Sequence, residues 1–125
     1  MTKEQLEFYL NRKNIFGYNT ENDDKTVGWI KVFKIFPTEG FFERHVEIAG
    51  PEIFEEQMKI KREPYRVNVA QVTREIFDSD KDTDNEDYLL NETYSFSTLD
   101  DVESFLKGLG YDLAAIKWGA DFEFL

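Results

Sequence analysis

The chain contains no cysteine, a single histidine and no apolar run long enough to span a bilayer, and each of these absences removes a class of function. Without cysteine there is no disulfide framework, no thiolate nucleophile and no cysteine-ligated zinc. The start, MTKEQLEFYL, lacks the apolar core of a signal peptide, so a cytoplasmic protein without a membrane span is expected. Glycine is sparse, and neither a Walker A loop nor G-x-G-x-x-G occurs. The nearest glycine pair, Gly108 and Gly110 in KGLGYD, follows a helical pattern whose capping accounts for it. No cofactor is expected. No repeat recurs at a fixed period.

Aromatic residues and negative charge are abundant. Twelve Phe and six Tyr within 41% hydrophobic residues suffice for a packed core, which argues against global disorder although 33% of the chain is charged. A length of 125 residues fits a single domain, 1–125.

Hydrophobic periodicity predicts an α+β fold with a mostly antiparallel sheet of four to five strands and N-terminal and C-terminal helices packed on one face. Thr2 and Gln5 form a capping-box pattern ahead of Leu6, Tyr9 and Leu10, opening a helix that should end near Asn14. The polar stretch 16–25 (FGYNTENDDK) reads as a loop. Strands are expected over 27–36 and 41–49, paired as a hairpin across the PTEG turn. Gly50 and Pro51 suggest a short helix start, while alternation at Met58 and Ile60 allows an extended run instead.

Two long strands, 65–77 and 88–96, should form the central hairpin around an acidic turn, DSDKDTDNED. In the first, apolar residues move from Tyr65, Val67 and Val69 to Val72 and Ile76, which fits either a β-bulge near Val69 and Ala70 or burial of both faces. In the second, Tyr88, Leu90, Tyr94 and Phe96 share a face. Thr98 then caps a helix with the stripe Leu99, Val102, Leu106 and Leu109, ended by Gly110. Asp112 caps a further turn, and the apolar tail with Phe122 and Phe124 should be docked.

Candidate chemistry is thin. His45, beside Glu43 and Glu47 on one strand face, has the ingredients of a general base or a carboxylate-rich metal ligand, though a lone exposed histidine is more often an ordinary surface residue. No G-x-S-x-G elbow accompanies it. Asp78, Asp80, Asp82 and Asp84 match the first ligand spacings of an EF-hand loop. Thr83 replaces its glycine, Leu89 its bidentate Glu, and strands its flanking helices, so a solvated turn with no metal is expected. Lys59, Lys61, Arg62 and Arg66 interleave with Tyr65, a weak nucleic-acid signal on a chain of net charge −11. Direct nucleic-acid binding is not expected.

Charge supplies the one global hint. Across 78–103, ten acidic residues face Lys81 alone, leaving a net −9 there and near neutrality elsewhere. The expected functional surface is an acidic face of Glu92, Asp100, Asp101 and Glu103, with a secondary tip of Asp78, Asp80, Asp82, Asp84, Glu86 and Asp87. It implies a non-enzymatic protein that neutralises a basic protein partner. In size and charge, though in no motif, the chain is similar to bacterial immunity proteins that block toxin nucleases. The alternatives are a phage-type DNA mimic, whose carboxylates imitate phosphates, and a small enzyme or ligand-binding domain with an aromatic pocket.

Overall fold

The computed structural model describes residues 1–37, 50–79 and 82–125. Five antiparallel strands form one sheet in the order β4-β3-β2-β1-β5: β1 Phe16–Asn22, β2 Thr26–Lys34, β3 Tyr65–Thr73, β4 Tyr88–Phe96 and β5 Lys117–Trp118. Among the described residues four α-helices accompany it: α1 Lys3–Leu10, α2 Pro51–Arg62, α3 Arg74–Asp78 and α4 Leu99–Gly108. The α+β class with an antiparallel sheet is as expected.

Several elements follow from local chemistry. Thr2 and Gln5 complete the capping box of α1, which ends at Leu10, earlier than expected, as the chain turns through Lys13 at φ 65°. Pro51 stands at the start of α2, which runs to Arg62 before Pro64, so the helical reading of this segment holds. The Thr98 hydroxyl accepts from the Asp101 N–H to start α4. Gly110, at φ 91°, lets the chain leave it, with the Tyr111 N–H returning to the Leu106 carbonyl. Leu109 leaves the expected stripe, because it caps the helix end and is exposed.

Other expectations are corrected. The stretch 16–25 is no loop, since its first seven residues are β1. Phe16 and Tyr18 are buried, and the Asp23 carboxylate accepts from the Lys25 and Thr26 N–H groups to turn the chain into β2. Both edges of β2 are therefore taken, by β1 and β3, and the anticipated hairpin partner 41–49 lies outside the described residues. The strand expected over 65–77 stops at Thr73, whose hydroxyl caps α3 through the Ile76 N–H. The β3–β4 hairpin forms but does not lie at the centre: β2 does, and β4 is an edge.

Burial settles the two readings of β3. Tyr65 and Val67 belong to a core with Leu6 and Leu10 of α1 and Val102 and Leu106 of α4, while Ala70 and Val72 belong to a second core with Trp29 and Phe122. β3 is buried on both faces, without a face switch at Val69 and Ala70. The N-terminal and C-terminal helices share the first face, as expected; on the other, α3 contributes Ile76 and Phe77 and the docked tail contributes Phe122 and Phe124. A register shift lies one step further along, where Gln71 pairs with Leu90 but Val72 with Tyr88. The extra residue, Leu89, turns Tyr88 away from Leu90, Tyr94 and Phe96 and onto the Trp29 face.

Candidate functional site

Of the acidic residues singled out in the sequence, Glu92 lies on β4 and Asp100, Asp101 and Glu103 lie on α4, the helix that packs against that strand. Phe105 of α4 packs against Tyr94 and Phe96 of β4, with ring centroids 4.8 and 5.2 Å apart, which lays the helix along the edge strand. Asp100 and Asp101 begin that helix, where carboxylates favour the positive end of its dipole. Glu92 stands at the middle of β4 and accepts a hydrogen bond from the Tyr94 hydroxyl, which raises the Tyr94 pKa.

These four carboxylates are not equivalent. Lys3 of α1 reaches Asp100 at 2.7 Å and Glu103 at 3.2 Å, and hydrogen bonds to Asp100 first and Glu103 second raise the Lys3 pKa. Lys107 adds a looser contact to Glu103 at 3.9 Å. Among the described residues neither Glu92 nor Asp101 has a cationic partner within ion-pair distance. Of these four carboxylates, Glu92 and Asp101 are therefore the two left uncompensated among the described residues.

The described part of the acidic tip lies just before β4. Asp78 ends α3, and Asp84 opens a short 3-10 turn, Asn85–Asp87, accepting from the Glu86 N–H while its own N–H donates to Asp87. Asp82 and Glu86 are exposed, and Asp80 lies outside the described residues. No group of three or more acidic or histidine side chains that could hold a metal ion occurs among the described residues. His45, Glu43 and Glu47 lie outside the described residues.

The basic cluster is spread over two elements. Lys59, Lys61 and Arg62 belong to the last turn of α2, favourable to its negative end, while the Arg66 guanidinium on β3 donates to the Glu63 carbonyl.

Three features of this surface have no counterpart in the sequence reading. Leu89 and Tyr94 are 60% and 37% exposed, so β4 presents apolar area as well as charge. Lys3 joins the site from 97 residues away. A groove of about 520 Å³ opens between the N-termini of α1 and α4, with Glu7, Tyr65, Thr98 and Asp100 in its lining. There the Tyr65 hydroxyl donates to the Glu7 carboxylate at 2.5 and 2.6 Å to its two oxygens, and Lys34 lies 3.5 Å from Glu7. Burial, followed by the Glu7 carboxylate, pushes the Tyr65 pKa well up, so this phenol stays protonated and acts as a donor. Tyr65 had a sequence signal in the alternation of β3, but its pairing with Glu7 spans 58 residues and had none. Comparison with known proteins finds no family model, no curated protein and no solved structure that matches this chain.

Proposed function

We propose that this chain is a non-enzymatic acidic binding protein that neutralises a basic protein partner, in the manner of an immunity-type inhibitor of a toxin. The observation that carries the reading is the concentration of a net −9 within the sequence span 78–103, in which Glu92 and Asp101 lack cationic partners among the described residues. Charge of one sign gathered on a surface steers an oppositely charged partner over several ångströms and speeds its encounter. Leu89 and Tyr94 add apolar contact area of the kind that holds a docked complex together.

The alternative of a ligand-binding domain has the groove at Glu7 and Tyr65 in its favour. It is weaker, because the hydroxyl, the carboxylate and the Lys34 ammonium already satisfy one another.

A pull-down from the native host, followed by binding kinetics, tests the proposal. The double reversal Glu92→Lys, Asp101→Lys leaves the Lys3 bridges in place, so it should keep the fold while slowing association by at least about tenfold at low salt. The wild-type on-rate should fall steeply as salt rises. Unchanged association by the double variant would sink the proposal.

A further inference from the structure

The two edges of the sheet are treated differently. On one side, β5 pairs with Phe16 and Gly17 of β1, and beyond it the Asn19 side chain takes the place of a neighbouring strand: its amide donates to the Glu123 carbonyl at 2.8 Å, and its oxygen accepts from the Glu123 N–H at 2.9 Å. The edge strand on that side is thus only two residues long. On the other side, β4 is nine residues long, its residues 91–94 are all exposed, and no strand pairs with its outer edge among the described residues. Proteins commonly blunt such an edge with lysine or proline, yet the sequence YLLNETYSF has neither, and Glu92 is its only charge.

We propose that an extended basic segment of the partner protein adds to the sheet as a sixth strand along the outer edge of β4, with cationic side chains on the face that carries Glu92. This rests on the acidic-docking reading above and specifies how the partner is held. Main-chain hydrogen bonds supply affinity in such strand addition, and alternate side chains supply selectivity. The charges match an occupant of this kind along its whole length. Asp84 and Glu86 precede the strand, Glu92 marks its midpoint, and Asp101 follows its end. A second copy of this chain is a poor occupant: antiparallel pairing about the midpoint would bring Glu92 opposite its own copy and set each acidic end against the other, and like charges directly opposite destabilise a strand pair.

The test uses the full chain and a blocked peptide of alternating Lys and Val, matched to the nine residues of β4. Two further peptides carry backbone N-methyl groups, one on every Lys and the other on every Val, so that each loses the hydrogen-bond donors of one peptide edge. A strand added to one open edge uses only one of those sets. One N-methylated peptide should therefore bind at least about tenfold more weakly while the other stays within about threefold of the parent, and amide exchange at 90–94 should slow when the parent binds. If both N-methylated peptides bind like the parent while Glu92→Lys, Asp101→Lys abolishes binding, acidic docking stands and strand addition is overturned. If the charge reversal changes nothing, the docking reading itself fails. Strand addition is also overturned if the parent peptide does not bind at about 1 mM, or if the chain self-associates through β4 in sedimentation.

Discussion

Asn68 is the one polar side chain buried within the sheet among the described residues, and it is fully engaged. Its oxygen accepts from the Trp29 indole N–H at 3.0 Å, and its amide reaches the Asn91 and Thr93 side chains and the Glu92 carbonyl. Asn68→Leu strands the indole donor in an apolar setting, which costs about 1–3 kcal/mol beyond any packing change; chemical denaturation should show that loss with an unchanged denaturant slope. Because the same side chain bonds to Asn91 and Thr93, the variant should also speed amide exchange along β4. Titration gives a second outcome at this scale. Hydrogen bonds from the Lys25 and Thr26 N–H groups hold the Asp23 pKa low, and the hydrogen bond from Arg74 does the same for Glu123. A lowered folded pKa means stability that is present above the usual carboxylate range, about pH 4, and is lost as pH falls through the depressed values. Thermal unfolding between about pH 5 and pH 2 should therefore show a decline that Asp23→Asn and Glu123→Gln each flatten.

Elements whose signals were local were legible in the sequence. Thr2 with Gln5, Thr98, Asp112 and the pair Gly50 and Pro51 all mark helix or turn starts that the structure contains, because a cap is decided within four residues. β1 was not legible. Its outer half, Asn19 to Asn22, is polar, and Gly17 interrupts the apolar pair Phe16 and Tyr18, so only pairing with β2 reveals a strand. Val72 and Ile76 misled for a different reason: a spacing of four suits a strand and a helix equally, and Thr73 decides between them by capping. The acidic residues could be counted in the sequence, whereas the distinction between the Lys3-paired Asp100 and Asp101, which has no cationic partner among the described residues, depends on a contact across the whole chain. Gly17 owes its identity to this tertiary setting. A Cβ there would meet the Ile30 carbonyl oxygen at 2.0 Å and the Phe122 ring at 2.7 Å. Gly17→Ala should thus destabilise by at least about 1–3 kcal/mol, the usual range for overpacking, with near-ultraviolet circular dichroism reporting the displaced aromatic tail.

Taken whole, the molecule carries −11 at pH 7, and that charge acts on folding and on binding in opposite directions. Self-repulsion destabilises the compact state, so raising salt from about 0.02 to 0.5 M should raise the melting temperature while it slows association with a basic partner. Measuring both on one sample separates a fold effect from a docking effect. The Asn19–Glu123 clasp has a consequence of another kind, in the order of events during folding. Among themselves, strands β1 to β4 pair in sequence order, so this meander assembles from comparatively local contacts, whereas β5 and the clasp join β1 to residues about 100 positions away, 104 in the case of Asn19 and Glu123. The tail is therefore expected to settle after the rate-limiting barrier. Phe122→Ala should leave the refolding rate nearly unchanged and accelerate unfolding, whereas Val67→Ala, at the heart of the meander, should slow refolding. A clasp closed this late acts as a kinetic lock, setting how long the native sheet persists once formed while leaving its rate of formation untouched.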